Sequence, residues 1–406
     1  SLLCGLATNF YLLVACRALQ GFCSGPMVPL SQTILLRSFP PARRTVALAL
    51  WGMTVLLAPI FGPMVGGWLI DAASWPWIFL INLPIGLFSF AVCAALLPPE
   101  RGERSGARID VPGIVLLVLG VGSLQAMLDL GHDRGWFDSP LIVTLAAVAA
   151  LMLIALLIWE AGEEAPVIEL SLFRDRTFSS CVVIISLGMV VFSLVGVVFP
   201  LWLQAVMGYD AFHAGLATAP IGVLALVFAV LVGLYGHWVD TRLLVSCGFL
   251  IFAGVMWWNA HFSLTMSFAQ IATPGLIRGI GLPSRVPDDK LAAASSLSNF
   301  LRTLAAAFGS ALSVTLWDSR AVHHYGVLAA SVEHASANTA RYLQALQQGG
   351  VPGGQQLGRL HDVVQQQAYM MATNDVYALA AVTCAALAAL IWLARPRRGA
   401  AASFGH

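Results

Sequence analysis

Runs of about twenty apolar residues recur along this chain, and each is long enough to cross the hydrocarbon core of a bilayer as a helix. Lipid offers no partner for backbone N–H and C=O groups, so runs of this kind fold as α-helices. After an opening stub the candidate spans are 9–36, 46–70, 77–97, 110–130, 140–160, 178–206, 213–236, 242–260, 268–282, 291–316 and 373–394. A transmembrane β-barrel would show weaker, alternating segments of about ten residues. Composition agrees: 59% of the 406 residues are hydrophobic and 10% are charged, where a soluble chain carries about a quarter. The fold class expected is an all-α polytopic membrane protein. The net charge of +1 points to no partner of either sign, and no basic stripe suggests nucleic acid.

The basic residues give the orientation. Fourteen of the 21 Lys and Arg lie on one set of alternate connections: Arg37, Arg43, Arg44, Arg101, Arg104, Arg108, Arg174, Arg176, Arg242, Arg285, Lys290, Arg395, Arg397 and Arg398. The opposite side holds Arg134, Arg320, Arg341 and Arg359, and Arg17, Arg278 and Arg302 fall inside spans. This bias places the C-terminus in the cytoplasm. Residues 98–109 then form a charged cytoplasmic linker. Residues 317–372 form a Gln-rich segment on the outer face, expected as a helical or partly ordered cap. His323, His324 and His334 within it match no metal-ligand spacing. The seven cysteines sit in or beside apolar runs, as small buried residues do.

Transporters are often built from repeated halves, and this chain carries an internal repeat. Arg17-Ala-Leu-Gln-Gly21 precedes Ser38-Phe-Pro-Pro-Ala-Arg-Arg44 and an Ala-rich helix; Gly275-Leu-Ile-Arg-Gly279 precedes Ser284-Arg-Val-Pro-Asp-Asp-Lys290 and another. Gly21 to Pro41 is 20 positions, but Gly279 to Pro287 is only 8. The second copy is therefore about 12 residues short, roughly 18 Å of helix, and a gap is expected between Gly281 and Leu282. The chain also opens at Ser1 inside an apolar stretch, which reads as a missing N-terminus.

Four groups of residues could carry function. Arg17 lies well inside its span, where a guanidinium costs about 3 kcal/mol and needs a partner or a wet cavity; Gln20 is one turn away. Snorkelling to the interface would also accommodate it. In Ala58-Pro-Ile-Phe-Gly-Pro-Met-Val-Gly-Gly67, Pro59 and Pro63 bend a helix, while Gly62, Gly66 and Gly67 offer a G-x-x-x-G surface for close helix approach. That surface serves either plain packing or a gating hinge. Ser295, Ser298, Asn299 and Arg302 share one helix face, and Gln125 and Asp129 lie near the outer end of another. Trp202, Gln204, Trp257, Trp258 and Asn259 sit where an interfacial aromatic belt is expected. No His, Cys or carboxylate cluster supports catalysis, and no G-x-x-x-x-G-K-[ST] phosphate loop occurs.

These motifs resemble the fourteen-span drug:proton antiporters of the major facilitator superfamily, the EmrB/QacA type. The resemblance rests on R-A-L-Q-G (17–21), G-P-M-V-G-G (62–67), W-P-W-I-F-L-I-N-L-P-I-G (75–86) and S-L-Q-A-M-L-D (123–129). It continues in L-S-L-F-R (170–174), G-L-Y-G-H-W-V-D-T-R (233–242) and L-A-A-A-S-S-L-S-N-F-L-R-T-L (291–304). It implies a major facilitator fold with two six-helix bundles and an extra central helix pair. The bundles and insert divide as 1–97, the remainder of the N-terminal bundle; 98–177, linker and extra pair; and 178–316, the C-terminal bundle. A periplasmic loop over 317–372 and a last span with a cytoplasmic tail over 373–406 complete the chain.

The same resemblance implies proton-driven export of lipophilic drugs by alternating access across the bacterial inner membrane, without a cofactor. Arg17, Gln20 and Gly21 match the proton-coupling motif of the fourth helix. Pro59, Gly62, Pro63, Gly66 and Gly67 fall in the antiporter signature. Gln125, Asp129, Ser298, Asn299 and Arg302 are cavity candidates. Gly233, Asp240 and Arg242 match the cytoplasmic gating loop, although Leu234 and Trp238 replace residues that are usually basic. An EmrA-like periplasmic adaptor and a TolC-type outer-membrane channel are the implied partners, with 317–372 as the candidate contact. The first-helix Asp segment and the principal gating motif would precede Ser1, so the chain as written is expected to need them for transport. Export of an endogenous metabolite or siderophore, or a transport-inactive fragment, is the alternative.

Overall fold

The computed structural model describes residues 1–40, 47, 51, 54, 61–62, 65–96, 110–163, 168, 170–235, 239–281, 292–333 and 337–393. Regular structure among the described residues is helical throughout, with no strand. Seven of the described helices are long and apolar enough to cross a membrane.

The first expected span is not one straight helix. α2 (Phe10–Ser24) and α3 (Met27–Ser38) meet at Gly25 and Pro26. Pro26 has no N–H to donate, which interrupts the ladder. Both residues keep right-handed helical angles, so the chain bends there instead of turning back.

The chain forms two compact units. The first holds α1 (Leu2–Gly5), α2, α3, a helical stretch over 65–72, α4 (Trp77–Leu80), α5 (Asn82–Leu96), α9 (Ala211–Thr218), α10 (Pro220–Tyr235) and α12 (Phe268–Gly281). Within it α1 packs on α4 and α10 packs on α12. The latter contact is backbone against backbone: a Cβ on Gly279 would overlap the Ile221 carbonyl and reach 2.8 Å from the Ala225 nitrogen. α12 has 14 residues, a rise of about 21 Å, well short of the ~30 Å hydrocarbon core. The gap expected after Gly281 lies outside the described residues.

The second unit holds α6 (Val111–Gly131), α7 (Pro140–Glu160), most of α8 (Arg176–Ala205), α11 (Thr241–Asn259), α13 (Ala292–Glu333), α14 (Ala337–Gln348) and α15 (Gly353–Leu390). α6 and α7 form an antiparallel pair whose buried positions recur every seven residues, Gly113 and Gly120 on one helix and Ile142, Ala149 and Leu156 on the other. Gly120 sets their spacing, since a Cβ there would meet the Leu153 side chain at 2.9 Å. Asp110 caps α6, accepting from the Gly113 N–H at 2.9 Å and from the indole N–H of Trp159 at 3.0 Å.

The core of this unit corrects the aromatic-belt reading. Trp202 is fully buried and stacks on Phe262 with centroids 5.7 Å apart, and its indole N–H points to Met370 Sδ at 3.2 Å. Phe262 in turn meets Tyr377 edge-on. Asn259 is 4% exposed. Trp257, Trp258 and Gln204 are exposed, as belt residues would be. A Trp buried in this way is held by aromatic packing, which a position near a span end does not reveal.

Segment 317–372 is helical over a longer reach than a cap. α13 runs unbroken through residue 316 to Glu333, and α15 starts at Gly353 instead of near 373. Their 42 and 38 residues make rods of about 63 and 57 Å. The rods are zipped by the Trp317 indole N–H donating to Thr373 Oγ1 at 2.8 Å and by His324 Nε2 against Asp375 Oδ2 at 2.8 Å.

Candidate functional site

α2 starts where the Asn9 side chain accepts from the Leu12 N–H at 2.8 Å, and two turns on it presents Arg17. The Arg17 guanidinium donates to Gln20 Oε1 at 2.9 Å. Gln20 Nε2 donates to Ser1 Oγ at 2.8 Å, and the buried Cys4 thiol points to the same Oε1 at 3.6 Å. The guanidinium also lies over the Phe79 ring of α4, 5.6 Å from its centroid, a cation–π geometry. Among the described residues no carboxylate pairs with Arg17. Its charge is met by one oriented amide and one ring face. A guanidinium does not give up its proton in proteins, so Arg17 supplies a fixed positive charge and is not a proton relay.

Gly21 has open space where a Cβ would project. Its repeat counterpart Gly279 is pressed against α10, and Arg278 is 6% exposed where Arg17 is exposed. With Gly21 and Gly279 in register, Arg278 falls at the position of Gln20 and not of Arg17, so the two copies share neither the place of the arginine nor its environment.

The antiporter segment divides between two glycine environments. Gly67 lies against the start of α9: a Cβ there would reach the Ala211 carbonyl carbon and oxygen at 2.8 Å. Nothing among the described residues lies within 4 Å of a Cβ on Gly62 or Gly66. Among the described residues, close approach thus belongs to Gly67 and to neither Gly62 nor Gly66. Pro59 and Pro63 lie outside the described residues. The α9 turn under Gly67 is fixed by Asp210, which accepts from the His213 N–H at 2.7 Å and has the His213 ring Nδ1 at 2.7 Å. That backbone N–H, then the imidazole, hold the Asp210 carboxyl below its ordinary range.

The remaining candidates pair within their own helices. Gln125 Nε2 donates to both Asp129 oxygens, at 2.8 and 2.9 Å, on α6, where Gln125 is half-buried and Asp129 exposed. On α13 the Arg302 guanidinium reaches Asn299 Oδ1 at 3.5 Å, and Ser298 is half-buried beside them. Asp240 caps α11 by accepting from the Arg242 N–H at 2.9 Å, while Arg242 Nη2 is buried without a hydrogen-bond partner among the described residues. Gly233 belongs to α10, and its surroundings lie outside the described residues.

Sequence reasoning missed Phe79. It stands in the W-P-W-I-F-L block, 62 positions after Arg17, and no local pattern links the two. Also unassigned were His132 and Asp318, which pair where α6 meets α13, and Asp375, which faces His324 and Arg320 where α15 meets α13, with Tyr369 packed on Trp317 at the same seam.

Residues 1–310 match the Major Facilitator Superfamily. The probable multidrug resistance protein EmrY of Escherichia coli (strain K12) is 41% identical over 410 residues, covering 98% of this chain and 80% of that protein. The fatty acid resistance protein FarB of Neisseria gonorrhoeae is 38% identical over 407 residues, with the same coverages. The multidrug export protein EmrB of Escherichia coli (strain K12) is 37% identical over 417 residues, covering 99% of this chain and 81% of that protein. With its helices, its motifs and these relatives aligned along nearly the whole chain, this multi-pass membrane protein belongs to the major facilitator superfamily and, within it, to the EmrB-type multidrug efflux family.

Proposed function

We propose that the chain is the permease of a proton-coupled antiporter that expels lipophilic toxic compounds across the bacterial inner membrane by alternating access, its C-terminus cytoplasmic. The observation that carries this reading is Arg17 held by Gln20 and Phe79 with no counter-carboxylate among the described residues. A fixed charge compensated only by dipoles favours the ionised form of any carboxylate brought near it. It thereby provides a place where proton binding and release can be tied to conformation. The proton acceptor itself is expected on the first-helix Asp segment that the family carries before Ser1. Gly233, Asp240 and Arg242 serve the cytoplasmic gate, and Gln125, Asp129, Ser298, Asn299 and Arg302 line the route. The paired rods α13 and α15 support contact with an EmrA-like adaptor leading to a TolC-type channel.

The test uses the full-length transporter in proteoliposomes. Arg17→Ala is expected to abolish drug-driven proton movement while leaving membrane insertion and drug binding intact. Wild-type coupling in that variant would refute the assignment.

A second reading, export of an endogenous amphipathic metabolite, is favoured by the 38% identity to a fatty acid resistance protein. Expression in an efflux-deficient strain separates the two. Resistance to uncouplers and dyes supports drug export, whereas protection only against long-chain fatty acids supports the metabolite.

A further inference from the structure

The Arg17 site says nothing about how the inserted pair α6–α7 takes part in transport. Three observations in the second unit do. The pair is internally rigid: its seven-residue seam is closed by Gly120 against Leu153 and, at the turn, by Gly131 against the Trp136 ring. The rods α13 and α15 are likewise locked, by Trp317 to Thr373, by Trp317 against the Tyr369 ring at 4.7 Å, and by Asp375 between His324 at 2.8 Å and Arg320 at 3.7 Å. Between these two rigid parts stands Asp318. Its Oδ2 lies 2.9 Å from Nε2 of His132, the residue that caps α6, while the adjacent Trp317 holds the Tyr369 ring and the Thr373 hydroxyl of α15. The two side chains of the ion pair are only 34% and 27% exposed. Two adjacent residues of α13, Asp318 and Trp317, therefore join α6 and α15, the first at a partly screened position, where a charge-assisted bond keeps much of its strength.

We propose that Asp318 is a positioning residue that fastens the α6–α7 pair to the α13–α15 rods, so that all four helices move as one body through the transport cycle. The inference rests on the alternating-access reading. On this view the inserted pair follows the rods and does not slide past them. α6 also packs directly against α13, which gives the tie a surface to act on.

The test places spin labels at Leu141→Cys on α7 and Val322→Cys on α13, both exposed, in the full-length transporter with its native cysteines replaced. The inter-label distance is expected to stay the same with and without transported dye. Asp318→Asn, nearly isosteric but uncharged, is expected to broaden it on dye addition. The same variant should lower the maximal transport rate by roughly threefold to tenfold, within the span of one coupled pair, at an unchanged half-saturating concentration. The reciprocal exchange His132→Asp with Asp318→His should restore both readouts, which a mere folding defect would not allow. A distance that changes with dye in the unsubstituted transporter, or that ignores Asp318→Asn, overturns the proposal. Should the transporter move no protons at all, the antiport reading fails, while the distance comparison still decides the tie.

Discussion

A single methylene separates two neighbouring glycines in consequence. Gly66 and Gly67 are adjacent in the antiporter segment, yet of the two only Gly67 meets backbone among the described residues, at the Ala211 carbonyl. Backbone cannot rotate aside as a side chain can, so Gly67→Ala forces the helical stretch away from α9. The expected cost is about 1–3 kcal/mol, typical of overpacking, seen as a lower melting temperature and reduced efflux. Gly66→Ala is expected to melt and transport like the parent. Equal loss in both variants would show that the pair is read by a helix approaching in another state. The composition of this segment was plain in the sequence, but which glycine is pressed was not, because that depends on a helix about 145 positions away. The same holds for Arg17. Its bond to Gln20 was legible from i, i+3 spacing, while Phe79 enters only through the fold.

At the level of elements, apolar length foretold most helices because the bilayer leaves the backbone no other solution. It foretold their ends poorly. Gly25-Pro26 bends a segment that reads as one span, and the rods pass unnoticed through a Gln-rich stretch whose polar residues simply face outward. What holds the rods is local chemistry at their seam. Thr373 is fully buried and accepts from Trp317 while its own hydroxyl donates to the Tyr369 carbonyl. Thr373→Val keeps the shape but leaves the Trp317 N–H buried and unpaired, a cost of about 1–3 kcal/mol. Thermal unfolding in detergent should register that loss. Thr373→Ser, which restores the acceptor, should recover most of it; no difference between Val and Ser would mean that the indole finds another partner.

For the whole molecule, membership of a transporter family was readable from span number, charge bias and motifs, since these follow from insertion and from a shared scaffold. The packing of the second unit was not, because Trp202, Asn259 and Asp318 acquire their roles from helices remote in sequence. Adaptor contact through the rods makes a clear prediction. Removing residues 326–360 and rejoining the rods by a short Gly-Ser turn should leave folding and dye binding intact, yet abolish resistance in a cell that depends on an outer-membrane channel. Full resistance with the shortened rods would place the contact elsewhere.

A rod of about 60 Å crossing a ~30 Å core leaves roughly 30 Å beyond it. Because α13 and α15 are pinned to each other at Trp317–Thr373 and His324–Asp375, the excess behaves as a lever arm. A tilt of 10° at the membrane would sweep its tip by about 5 Å, taking the arm as straight helix. A rearrangement too small to notice around the transport route would then arrive at the far end as a displacement of nearly one helical turn, large enough for a docked protein to feel.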